Sequence, residues 1–122
     1  MKNLTAGSNA GFDILKLFED DINTSFSNTI LVNADKTPSI VNHTLLVTTG
    51  SSIINITLLS ALNRKGKEFM IKKVDNGIGN VLISTTLSQL IDDVLTVTLY
   101  KKNDTLFIIS DGVNWQVIYN II

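Results

Sequence analysis

From about Ser27 to the C-terminus the chain repeats one kind of unit: a short run rich in Ile, Val, Thr and aromatic residues, closed by Gly, Asn, Asp or Ser. The runs TILVN, HTLLVTT, IINITLL, KEFMIKK, NVLIS, VLTVTLYKK, TLFIIS and VNWQVIY follow one another at a spacing of roughly ten residues. β-Branched and aromatic side chains suit a pleated, half-buried surface. Turn residues in nearly every gap stop each run before a helix of ordinary length could form. Regular short strands of this kind point to a mainly β fold, an antiparallel β-sandwich. Alternation within the runs identifies their faces. Leu95, Val97 and Leu99 oppose Thr96 and Thr98, a half-buried pattern, whereas Leu106 and Ile108 oppose Phe107 and Ile109, so that strand is expected to be covered on both sides.

Upstream the period changes. Phe12, Leu15, Phe18 and Ile22 recur at spacings of three and four, which predicts a short amphipathic N-terminal helix behind a Gly/Asn/Ser-rich arm, with Ser8 and Asn9 as cap candidates. Residues 1–27 therefore read as arm and helix, and residues 28–122 as a β-sandwich head domain. The N-terminus has no apolar stretch after Lys2 of the kind a secretory signal needs.

The chain is apolar for its size, with 17% charged residues and a mean hydropathy of +0.27. Part of its surface is expected to be buried against another copy. Between Lys36 and Arg64, His43 is the only side chain that can carry charge near neutral pH. That stretch is long enough to cross a bilayer. Its Asn, Thr and Ser residues and the central TTGSS turn instead make it two covered strands, with Ile54, Ile56 and Leu58 as core or subunit-interface residues and no membrane insertion. A net charge of −1 gives no reason to expect a nucleic-acid partner. The absence of cysteine removes disulfides, thiolate nucleophiles and sulfur metal sites together.

The last hairpin, FIISDGVNWQVI, holds the only tryptophan. Asp111-Gly112 supplies the turn, and Trp115 is the expected core anchor, its indole N–H requiring an acceptor. Gly66-Lys67, Ile71-Lys72-Lys73, Val81-Leu82-Ile83 and Ser110-Asp111-Gly112-Val113-Asn114-Trp115 together resemble, in order and approximate spacing, a β module at the ends of phage tail fibres and of other viral fibre or virion-surface proteins. The resemblance covers about residues 40 to 119. Leu59 stands where that module usually has proline, and Asp93 where it has a turn glycine. It implies a homotrimer packed about a threefold axis at the virion surface. The N-terminal end would face a stalk or capsid protein and the β head a host-surface glycan or receptor. Leu106, Phe107, Ile108 and Ile109 then become interface or core.

Sites of chemistry are sparse. His43 lacks the G-x-S-x-G elbow that would make a Ser/His/Asp arrangement specific. GSNAG at 7–11 lacks the ending of a phosphate loop, and DNGIGN at 75–80 lacks the Glu that a calcium loop needs, so it reads as a turn. Asp75, Asn76, Asp92 and Asp93 are candidate ligand-facing loop residues; the Asp92-Asp93 pair suits a cation or a sugar but by itself supplies too few oxygens for a cation site. Arg64, Lys65, Lys67, Lys72 and Lys73 cluster around Gly66, where they could touch phosphate or sulfated glycan or simply form the rim of a hairpin. No catalytic residue, metal ligand or cofactor is expected. Three classes stay open: a structural virion protein, a lectin-like glycan-binding module without a virion role, and, least favoured, an enzyme.

Overall fold

The computed structural model describes residues 28–122, which form eight strands and no α-helix. The predicted N-terminal helix lies outside the described residues. In chain order the strands are β1 (Thr29–Val32), β2 (Thr44–Val47), β3 (Ile54–Thr57), β4 (Glu68–Lys73), β5 (Val81–Ser84), β6 (Thr96–Leu99), β7 (Thr105–Ser110) and β8 (Trp115–Ile121). They make two sheets, one of five strands in the order β1-β2-β4-β7-β8 and one of three in the order β3-β5-β6.

The pairing is mixed rather than antiparallel. β1 with β2, β2 with β4 and β3 with β5 are parallel, while β4 with β7, β5 with β6 and β7 with β8 are antiparallel. The cause is the route of the chain. From β2 it crosses to β3 in the other sheet, returns for β4 and crosses again for β5, so successive visits to one sheet run in the same direction. The segment after β1 does likewise, since Lys36 bridges Ile56 in parallel before the chain returns for β2. TTGSS is therefore a crossing turn between sheets. Crossing turns and hairpin turns use the same Gly, Asn and Ser residues, which is why alternation alone reads the two alike.

The crossing turns stack. The Thr48 amide donates to the Val32 carbonyl at 2.9 Å, that of Val74 to Val47 at 2.9 Å, and that of Asn103 to Lys73 at 2.7 Å. Gly77 and Gly79 permit this, because a Cβ on either would collide with the backbone of Gly50 or Ser52 in the turn beneath.

Inward-facing side chains of both sheets meet in one core. Leu45, Val47, Phe69, Ile71, Leu106 and Ile108 come from the larger sheet, and Ile54, Ile56, Val81, Ile83 and Leu99 from the smaller. Leu58, Ala61 and Ile91 close the ends. Full burial of each large side chain contributes roughly 1.5–3 kcal/mol. In β6 the expected face is only partly covered: Leu99 is buried and Val97 half-buried, but Leu95 precedes the strand and is exposed.

Trp115 is fully buried, its ring 5.6 Å from that of Phe69 at 48°. The expected acceptor for its indole N–H is not found: Nε1 is buried without a hydrogen-bond partner among the described residues. This predicts an asymmetry between two substitutions. Trp115→Ala opens a cavity and costs about 3–5 kcal/mol. Trp115→Phe keeps most of the packing and removes a donor that bonds nothing, so it costs about 1–2 kcal/mol. Urea denaturation of both variants checks this, and equal losses would mean that the indole N–H is satisfied in solution.

The outer faces of the sheets differ. In the larger sheet the register aligns Thr29, Thr44, Met70, Phe107 and Tyr119 in one outward row and Leu31, Leu46, Lys72, Thr105 and Ile121 in the next, with Glu68, Ile109 and Gln116 in a third. Phe107 and Ile109 are thus half-buried residues of this outer face, while Leu106 and Ile108 lie in the core. The smaller sheet turns Asn55, Thr57, Leu82, Ser84, Thr96 and Thr98 outward. The larger sheet's outer face mixes Leu31, Leu46, Met70, Phe107, Ile109, Tyr119 and Ile121 with Thr29, Thr44, Glu68, Lys72, Thr105 and Gln116, whereas the smaller sheet's outer face carries Leu82 among polar residues.

Candidate functional site

The five clustered cations separate once the strands are placed. Phe69, Ile71 and Lys73 share the inner face of β4, so Lys73 points inward and is fully buried. Lys72 points outward into the apolar rows. Arg64, Lys65 and Lys67 remain together on the loop from β3 to β4, where with Ile40, Leu62 and Asn63 they line an open groove of about 640 Å³.

This loop is held from several sides. The Asn63 amide donates to the Gly112 carbonyl at 3.1 Å and that of Gly66 to Ser110 at 2.9 Å. The Ser110 hydroxyl donates to the Ala61 carbonyl at 2.7 Å, and the Ala61 amide to Gln89 Oε1 at 2.8 Å. Asn63 and Gly66 both take positive φ, 60° and 92°, which the tight path requires. The turn of the C-terminal hairpin therefore buttresses the groove. In that turn Gly112 has a φ of 99°, and the Asp111 carboxylate accepts from the amides of Val113 and Asn114 and from Gln116 Nε2. The Asn114 and Val113 amides and the Gln116 side chain hold the Asp111 carboxyl below its usual range.

Two of the three groove cations are tethered. Arg64 Nη1 donates to the Ser60 carbonyl at 3.0 Å. Lys67 Nζ donates to the Asn42 carbonyl and sits 4.5 Å from the centroid of the Phe69 ring. Burial pushes the Lys67 ammonium down from its usual value, against the opposing charge of Glu68.

The other loop candidates do not converge. Asp75 and Asn76 lie on the crossing turn after β4, whereas Asp92 and Asp93 lie beyond β5, on the connection to β6. Asp75 is engaged internally, accepting from the Gly50 amide at 2.9 Å, the Thr49 amide at 3.1 Å and Lys73 Nζ at 2.9 Å. Desolvation pushes its carboxyl up, but the Gly50 and Thr49 amides and the Lys73 ammonium outweigh that and hold it well below the usual carboxylate range. Asp92 takes a φ of 53° and accepts from the Val117 amide at 2.8 Å. Asp93 and Asn76 are exposed, the latter beside a second depression shared with Ile78, Tyr100, Lys101 and Lys102. His43 Nε2 stands 3.4 Å from Glu68 and its ring 6.1 Å from that of Phe107. Among the described residues no three His, Asp or Glu side chains come together as a metal site would require.

Ile40, Leu62 and Asn63 are groove residues that the sequence does not single out. Ile40 is distant in the chain and reaches the groove only through the return into β2. Lys73 had a legible signal, its alternation with Phe69 and Ile71. Comparison of the chain with protein-family models, curated proteins and solved structures finds no match.

Proposed function

We propose that this protein is a structural β-sandwich head domain that assembles as a homotrimer at a virion surface and serves attachment to a host or to the capsid, not catalysis. The observation that carries the reading is the contrast between the two outer faces. Four neighbouring strands bring Leu46, Met70, Phe107, Ile109, Tyr119 and Ile121 outward in register, and Leu31 extends the face onto β1, where it is 84% exposed. Apolar side chains gathered on one face in this way, with Leu31, Tyr119 and Ile121 half exposed or more, suit a contact surface. The polar outer face of the smaller sheet suits solvent, so the same chain supplies its own comparison. Closed cyclic symmetry lets identical faces meet without leaving an open edge to aggregate. The threefold order comes from the resemblance in the final hairpin and the Gly-Lys and Ile-Lys-Lys runs.

Sedimentation at micromolar concentration tests the reading. The expected species has about three times the 13.4 kDa chain mass. A folded monomer at that concentration overturns the trimer and with it the fibre-head assignment. The second reading, a lectin-like module without a virion role, is favoured by the cationic groove and needs no trimer.

A further inference from the structure

Arg64, Lys65 and Lys67 face one groove, and none of them forms an ion pair among the described residues, where the two close pairs are His43 with Glu68 and Lys73 with Asp75. Cations on a plain hairpin rim would radiate into water. Here Arg64 and Lys67 are each tied to a backbone carbonyl, and the loop that carries all three is fastened to the C-terminal hairpin. The positions of Arg64 and Lys67 are set during folding, so of the three side chains a ligand would have to order only the exposed Lys65.

We propose that this groove binds an oxyanion carried on a glycan, a sulfated or carboxylated sugar. The Arg64 guanidinium offers a planar fork to two oxygens of one anion, and Lys65 and Lys67 add point charges beside it. Ile40 and Leu62, about half exposed, supply apolar walls for the C–H face of a sugar ring, and Asn63 supplies an amide for a hydroxyl. The surroundings limit the charge such a ligand can bring. Glu68 follows Lys67 directly, Asp111 lies in the hairpin turn behind the groove, and the net charge of the chain is −1. These carboxylates repel a polyanion such as nucleic acid more than they repel a single oxyanion, because repulsion grows with the charge the ligand brings. The choice of a glycan as carrier rests on the attachment reading; the anion site itself rests on the groove alone.

The test is calorimetric titration of the full chain with N-acetylglucosamine 6-sulfate, glucuronate, their neutral parent sugars and inorganic sulfate. At least one charged sugar binds, with a Kd of about 1 mM or tighter, at least tenfold more tightly than its neutral parent and than inorganic sulfate. Raising the salt from about 0.05 M to about 0.5 M weakens the binding. Arg64→Gln/Lys65→Gln lowers the affinity about tenfold or more, and so does the exposed single change Lys65→Glu, which breaks no hydrogen bond of the loop and leaves the melting temperature unchanged. Lys101→Gln/Lys102→Gln, at the far end of β4, removes the same charge and leaves the affinity within about twofold. Equal losses from the two double variants would reduce the effect to bulk attraction and overturn the site. Inorganic sulfate binding as tightly as the charged sugar would overturn the glycan assignment. Sedimentation of the same samples separates the two proposals: a trimer that binds neither charged sugar overturns the groove alone, and a monomer that binds one overturns the assembly alone.

Discussion

Replacing Asp75 with alanine lowers the stability of the fold by about 3–5 kcal/mol, a large share of what a domain of this size possesses. The reason lies on the inner face of β4, where Lys73 follows Phe69 and Ile71 and is fully buried. Its ammonium has three acceptors, the Asp75 carbonyl at 3.0 Å, the Asp75 carboxylate at 2.9 Å and the Gly77 carbonyl at 2.8 Å. The carboxylate also receives the amides of Thr49 and Gly50. Alanine leaves a buried charge with two carbonyls and leaves two amides without their acceptor. Lys73→Met removes the charge that needs a partner and should cost less than half as much, and the double variant Lys73→Met/Asp75→Ala should lie close to Lys73→Met alone. Denaturant titration of the three variants decides the matter; a loss below about 1 kcal/mol for Asp75→Ala would show that water replaces the carboxylate. The same pair sets an acid limit. Because the folded-state pKa of Asp75 is depressed, its contribution is complete above the unfolded value of about 4 and is lost as the pH falls through the folded value. Wild type should therefore lose stability below about pH 4, with a shallower slope in the double variant.

Much of the β content was legible because local pattern determines it. Each run from TILV to WQVIY became a strand, and alternation in EFMIKK and TLFIIS assigned the inward residues Phe69, Ile71, Leu106 and Ile108. Pairing direction was not legible. TTGSS and DNGIGN contain the residues of any tight turn, and whether such a turn reverses the chain within a sheet or carries it to the other sheet depends on what it stacks against. For Gly79 that is the backbone of Ser52, a contact no local pattern records. The groove was half legible. The cationic cluster could be read from Arg64, Lys65 and Lys67, but its division from Lys72 and Lys73 follows from the faces of β4, and its apolar wall at Ile40 from the return into β2. Both apolar faces of β7 were visible in sequence as a strand covered on two sides. The structure assigns one face to the core and leaves the other on the outside of the sheet.

That division gives adjacent residues of one strand opposite fates. Ile108→Asp should abolish cooperative folding at 25 °C, because Ile108 is wholly buried between Phe69 and Val117 in the paired strands, and a carboxylate there has no partner. Phe107→Asp changes the neighbouring position to the same residue but points it outward, between Met70 and Tyr119 and near the His43 ring. Water reaches that side chain, so the variant should fold with a loss of about 1–2 kcal/mol. Its effect should appear in assembly instead. Three copies of a carboxylate brought into an apolar contact repel one another and lose their hydration, so Phe107→Asp should sediment as a folded monomer at concentrations where wild type is trimeric. Circular dichroism and sedimentation on the two variants separate the outcomes. A Phe107→Asp protein that remains trimeric would remove this face from the interface. One that unfolds along with Ile108→Asp would mean that the face is covered from within the same chain, and the apolar rows of the larger sheet would then belong to a second core.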